Sequence, residues 1–337
     1  MNSAATGAIK ADDPDRVRVQ GASMASPPKA TTVATGALGA MAAADAACPT
    51  PRTDVESPGY WQQVRRRLAK DPVTLIAAVI LLLIVLSAIF APWLAPYDPY
   101  QGNVMTRLKP IGFEGHLLGT DETGRDMLSR LLYGGRLSLL SGIVPVAFAL
   151  AIGGTLGILA GYMGGVVNTL IMRVTDVFFA FPSILLAIAI VGLLGAGLFN
   201  TLLSLTMVFI PQVIRISESV TTQVRSLDFV EAAKLSGARP LTLIRHQILA
   251  NVLSPILVYT TSLVSLSIIL AAGLSFLGLG VTPPSAEWGL MLNALRQAIY
   301  VDPMIAALPG AVIFITSMCF NLISDGLRSA MDVRIKL

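Results

Sequence analysis

Five long stretches of the chain hold no Asp, Glu, Lys or Arg: 72–97, 137–172, 177–214, 247–286 and 303–324. A helix needs about 20 apolar residues to cross the hydrocarbon core of a bilayer. The first and last stretches fit one span each. Stretch 137–172 fits one span and a turn at Gly164-Gly165, and 177–214 fits two spans broken at Gly195-Ala196-Gly197. Stretch 247–286 fits one span and a Gly/Pro-rich tail. The pattern predicts six helices, near 73–94, 138–162, 174–194, 198–216, 254–276 and 304–324. Residues 73–90 include thirteen Val, Ile, Leu or Phe, together contributing about −4 to −8 kcal/mol to insertion. The expected class is an all-α integral membrane protein.

The flanking segments divide the rest. Residues 1–58 are rich in Ala, Pro, Thr and Gly, have no sustained period, and are expected to be a disordered tail. Met24 and Met41 inside it are alternative starts. Residues 59–135 combine an amphipathic helix (Tyr60, Trp61, Val64 and Leu68 on one face), the first span and an external loop. Residues 136–325 form the main membrane domain, and 326–337 a short tail. About seventy residues precede the first apolar run, so a permanent span is expected there rather than a signal peptide.

Composition agrees: 54% of residues are hydrophobic and 13% charged, against about 25% charged in a typical soluble domain. Mean hydropathy is +0.71. The net charge of +4 gives no reason to expect a nucleic-acid partner. Its distribution is more telling. Eighteen Lys and Arg fall on the side holding both termini and the loop 215–246, and six on the other. Basic residues accumulate on the cytoplasmic side, so both termini are expected there.

Chemistry-bearing motifs are scarce. No phosphate-binding loop, His-Glu-x-x-His or Cys-x-x-Cys occurs. Cys48 and Cys319 suggest neither a disulfide nor a metal site. His116 and His246 fall outside the spans, and Arg173, Asp176 and Arg215 sit at span ends. No cofactor, metal site or catalytic residue is expected. The spans lack the buried charges of proton- or sodium-coupled carriers. The stripe Ala149, Gly153, Gly157, Gly161 recurs every four residues and is read as helix packing.

The largest internal loop, 215–253, has a legible local design. Leu227 to Ser236 favours helix, with Asp228 in the first turn, where the helix dipole welcomes negative charge. Gly237 can end that helix at positive φ, and Pro240 suits the first turn of the next. The prediction is a helix–turn–helix elbow, although composition alone favours an ordinary solvated loop.

Glu231-Ala232-Ala233, then Gly237 and an apolar stretch ending near Leu249-Ala250-Asn251, resembles the EAA loop of ABC importer permeases. Ala250 stands where that family often has Pro. Four further segments accompany it: His116-Leu117-Leu118-Gly119-Thr120-Asp121-Glu122-Thr123-Gly124-Arg125-Asp126; Asp176-Val177-Phe178-Phe179-Ala180-Phe181-Pro182; Leu274-Ser275-Phe276-Leu277-Gly278-Leu279-Gly280 with Pro283-Pro284 and Glu287-Trp288-Gly289; and Asn321-Leu322-Ile323-Ser324-Asp325-Gly326-Leu327-Arg328. In this order they resemble the C-type subunit of the dipeptide/oligopeptide permease family over residues 60–337.

The resemblance implies a type I ABC importer permease fold in a bacterial inner membrane. It implies partnership with a homologous second permease subunit, two ATP-binding cassette ATPase subunits and an extracytoplasmic peptide-binding protein. Glu231, Ala232, Ala233 and Gly237 become the expected ATPase-coupling positions. Substrates in such a family span dipeptides, oligopeptides, glutathione and nickel complexes. No substrate-binding residue is assigned. The competing readings are a self-sufficient secondary carrier or channel, and a membrane enzyme. Three bland expectations stand beside these: Asp121, Arg125 and Asp126 as surface ion pairs worth about 0–1 kcal/mol, Pro182 as a kink, and Trp288 as an interfacial anchor.

Overall fold

A computed structural model describes residues 60–331. The expected disordered tail 1–58, with Met24 and Met41, lies outside the described residues, as do 332–337 and the side chains of Tyr60 and Trp61. Among the described residues the regular elements are helical. Two isolated β-bridges, Phe113 with His116 and Thr120 with Asp126, shape the loop ahead of the second span.

The chain opens with α1 (Tyr60–Leu68), α2 (Pro72–Ile89) and the short α3 (Ala91–Leu94). Asp71 caps α2 by accepting from Val73 N at 3.2 Å, and Pro72 supplies a first helical residue with no N–H to satisfy. A loop leads to α4 (Met127–Met163), which ends at Gly164 with φ +65°. Then come α5 (Gly165–Phe179) and α6 (Ser183–Leu194), bent 85° from each other. Pro182 stands at that break, where the sequence predicts a kink. Next is α7 (Leu198–Arg225), followed by α8 (Asp228–Leu235), α9 (Pro240–Thr242) and a π-helical turn, Leu243–Ile248. The chain closes with α10 (Leu249–Phe276), α11 (Trp288–Ala294) and α12 (Pro303–Met331).

Five of these helices or runs are long and apolar enough to cross a membrane, and the bent α5–α6 pair makes a sixth if it crosses once. Boundaries differ from the sequence reading at polar ends. Helix α4 begins at Met127, taking in Arg130 and Arg136, and α7 runs on to Arg225. Charge gaps mark hydrocarbon, whereas helices end where their backbone groups find caps.

Helices α4 and α7 share the most extensive contact. Along it lie Gly153, Gly157 and Gly161, backbone against backbone. A Cβ at Gly157 would sit 2.5 Å from Ile214 O and 2.6 Å from Ser217 Cβ. One at Gly161 would sit 2.7 Å from Thr221 Cβ, and one at Gly153 2.8 Å from Ile210 O. Small residues permit this approach, and dispersion then holds the pair in a solvent as apolar as the helices themselves. Ala149 is fully buried on the same stripe. The main core joins Val146, Phe209, Val213, Ile268 and Leu274 from α4, α7 and α10.

Candidate functional site

The elbow between α7 and α10 has the expected form, with its residues resolved one by one. Asp228 and Glu231 lie in the first turn of α8 and Lys234 in the last, matching the helix dipole at both ends. Gly237 takes φ +79°. Its N–H donates to Lys234 O at 3.0 Å, and Ala238 N–H donates to Ala233 O at 3.3 Å. These crossed bonds form a Schellman motif, the arrangement that stops a helix on a left-handed residue. Pro240 opens the second limb, which runs through the π turn into α10 without a break.

Val230 anchors α8 by full burial, while Glu231, Ala232, Lys234 and Gly237 are exposed and Ala233 is half-buried. Leu235 is 89% exposed and Leu241 76% exposed, and Leu227 and Phe229 also face outward. Sequence reading singled out the small and acidic residues here and missed these leucines. Hydrophobic spacing could not separate them from core leucines, because one turn more or less of helix changes which face they take.

Beside the elbow's second limb is a cleft of about 530 Å³ lined by Ile216, Asn251, Pro255, Tyr259, Arg328 and Met331. It lies between α7, α10 and α12, so the limb leaving the elbow forms one of its walls.

At the opposite end of α4 a polar cap is built from groups read in sequence as surface pairs, and that reading is corrected. Asp121 is 4% exposed and Asp126 2%. Asp121 Oδ1 accepts from Thr123 N, Thr123 Oγ1 and Arg125 N at 2.7–2.9 Å. Its Oδ2 faces Arg130 Nε at 3.5 Å. Asp126 caps α4 by accepting from Ser129 N at 2.8 Å, and pairs with His116 Nδ1 at 3.0 Å. Arg130 donates onward to Pro99 O and Ser285 O. Burial comes from the loop folding back over the start of α4, which no short-range pattern reveals. Glu122 beside them is half-buried, and desolvation followed by the nearby Asp121 charge raises its carboxyl above the ordinary range.

Trp288 is likewise no interfacial anchor. It is 1% exposed, seated against Gly134 and Gly135, and its Nε1 donates to Leu131 O at 3.0 Å. Glu287 caps α11 from the same buried spot, accepting from Gly289 N, Leu290 N and Ser138 Oγ.

Asp176 on α5 and Arg215 on α7 form an ion pair at 2.6 Å, with the guanidinium 4.4 Å from the Phe179 ring centroid. Arg215 follows the uncharged stretch 177–214, and α7 continues ten residues beyond it to Arg225. Among the described residues no group of three or more His, Cys, Asp or Glu could hold a metal ion.

Residues 153–337 match the family described as binding-protein-dependent transport system inner membrane component. Residues 59–110 match the N-terminal transmembrane domain of oligopeptide transport permease C. The chain is 41% identical over 276 residues to the glutathione transport system permease protein GsiD of Pectobacterium atrosepticum, covering 82% of this chain and 92% of that protein. It is 42% identical over 284 residues to the di/tripeptide transport system permease protein DppC of Pseudomonas aeruginosa, again covering 82% and 92%. In fold it is similar to a chain of the methionine ABC transporter MetNI in an inward-facing conformation, with a TM-score of 0.50 at 20% identity. That likeness covers 60% of this chain and 97% of the other.

Proposed function

Since the chain belongs to the family of binding-protein-dependent transport inner membrane components and is a permease subunit of an ABC importer, we propose that it forms half of the translocation path for di- and oligopeptides. In this reading the elbow 228–251 docks on a cytoplasmic ATPase, with Glu231, Ala232 and Ala233 at the contact and Gly237 as its hinge. The remaining partners are a homologous second permease, a second ATPase copy and an extracytoplasmic peptide-binding protein. ATP hydrolysis belongs to the ATPases, and this chain contributes no catalytic residue.

The observation that carries the docking assignment is the pattern of exposure on the elbow. Leu227, Phe229, Leu235 and Leu241 are exposed, as is small Ala232. Several large apolar side chains left exposed on one short segment suit a protein contact. Closure of the ATPase dimer on ATP would draw two such elbows together and favour the outward-open arrangement, a shift between two states driven by nucleotide.

Glutathione is the second reading for substrate, favoured by the relative GsiD. Purification through a tag on this subunit, followed by uptake in proteoliposomes of labelled dipeptide and labelled glutathione, tests both. Co-purification of an ATPase and a second permease with dipeptide uptake supports the first reading, and uptake of glutathione alone replaces it with the second. Transport by this chain without partners would sink the ABC assignment of its energy source.

We place both termini and the elbow in the cytoplasm of a bacterial inner membrane. A cysteine at Met105, which is 85% exposed, should react with an impermeant reagent added to intact cells, and one at Ser236 should not. Reversal of that pattern overturns the orientation.

A further inference from the structure

The ion pair between Asp176 and Arg215 is unlike the other ion pairs among the described residues, which are largely buried. Each side chain is about half exposed, at 47% and 50%. The exposed neighbours Val174, Val177, Phe179 and Phe181 are apolar. Arg215 stands about 25 Å along α7 from Leu198 at 1.5 Å per residue, toward the far end of a span set against a bilayer core of roughly 30 Å. Charged groups set among apolar neighbours in a span face water-filled cavities or bundle interiors, because acyl chains offer them no partner.

We propose that Asp176 and Arg215 line the translocation path near its cytoplasmic end and receive the two charged ends of a short peptide. The assignment rests on the peptide reading above. The peptide carboxylate meets the guanidinium and the peptide ammonium meets the Asp176 carboxylate. Phe179 holds the guanidinium from one side at 4.4 Å. The bond to Asp176 uses Nη2, and a planar guanidinium can present further N–H donors to a second carboxylate. Any zwitterion must break the internal pair as it forms two new ones, so net binding is weak. Weak binding suits a conduit, which must release what it admits. Recognition of the two termini, and not of side chains, also suits a path serving many sequences.

The test uses the full complex in proteoliposomes, with Cys48→Ser and Cys319→Ser in this chain. The reporter is Ser219→Cys, an exposed site one turn beyond Arg215 on the same helix. A charged methanethiosulfonate should label it, and saturating dialanine should slow labelling several-fold. N-acetyl-dialanine amide, which has no charged ends, should not slow it. Arg215→Gln should keep the labelling and the co-purified ATPase but lose the protection, while Arg215→Lys keeps part of it. Absence of labelling, or protection by dialanine that survives Arg215→Gln, overturns the proposal. Failure of the unsubstituted complex to import dialanine or glutathione sinks the peptide premise instead, and is read in a different sample.

Discussion

Arg130 Nε lies 3.5 Å from Asp121 Oδ2, and both side chains are almost wholly enclosed. The same guanidinium donates to Pro99 O at 3.0 Å and to Ser285 O at 3.4 Å. One residue therefore ties α4 to the loop before it and to the segment that leads into α11. Breaking a buried pair from one side leaves the other charge uncompensated, at a cost of about 3–5 kcal/mol. Arg130→Gln and Asp121→Asn should each lower the thermal midpoint of the purified complex markedly. The double variant should lose less than the two single losses combined. Additive losses would show that the two groups do not act together.

Gly157 should be intolerant of any side chain. A Cβ there would lie 2.5 Å from Ile214 O, a backbone atom that cannot rotate away. Overpacking of this kind costs about 1–3 kcal/mol. Gly157→Ala should reduce thermal stability and Gly157→Leu should abolish stable assembly. Gly192→Ala, with open space at its Cβ, is the control and should leave the midpoint unchanged.

The elbow variants address docking. Gly237→Pro removes the N–H that bonds Lys234 O and forbids φ +79°. Ala233→Trp adds bulk at a half-buried position, and Ala232→Trp adds it at an exposed one. If the contact is overpacked by about 1.4–3 kcal/mol, the ATPase should associate roughly ten- to a hundredfold more weakly. Membrane levels should hold while peptide uptake and ATPase co-purification fall. Normal uptake with both tryptophans would remove the docking assignment.

Glu122 gives a pH-dependent prediction. Its carboxyl is raised in the folded chain, first by burial and then by the Asp121 charge. The folded state therefore binds this proton more tightly than the unfolded state does. Ionisation costs stability above the folded pKa, and that cost is relieved as pH falls through it toward the unfolded value. Glu122→Gln should raise the thermal midpoint at neutral pH, with the gain shrinking as the buffer is acidified. A gain that grows on acidification would reverse the sign of the argument.

The apolar architecture was legible because hydrocarbon imposes a length on uncharged runs. All five uncharged stretches overlap a long helix, and the Gly195-Ala196-Gly197 break separates α6 from α7 as read. The elbow was legible too, since Asp228, Gly237 and Pro240 each carry a local backbone preference. Arg130, Trp288 and the Asp176–Arg215 pair were not. Their partners lie far along the chain, at Ser285, Leu131 and across 39 residues, and composition says nothing about which polar groups meet. Arg130 did leave one trace: it follows the capping Asp126 by one helical turn, where an inward-facing side chain meets whatever the preceding loop folds over it. Ala250 lies in the first turn of α10, which continues from the π-helical turn.

The glycine seam between α4 and α7 has a mechanical meaning. Two helices touching backbone to backbone at Gly153, Gly157 and Gly161 cannot slide past each other without a collision at Ile210, Ser217 or Thr221. Shear between them is therefore blocked sterically. The elbow follows the end of α7, and Arg130 ties the polar cap at the other end of α4. Any displacement of α7 at its elbow end has to carry α4 along with it, because the seam leaves the pair no room to slip.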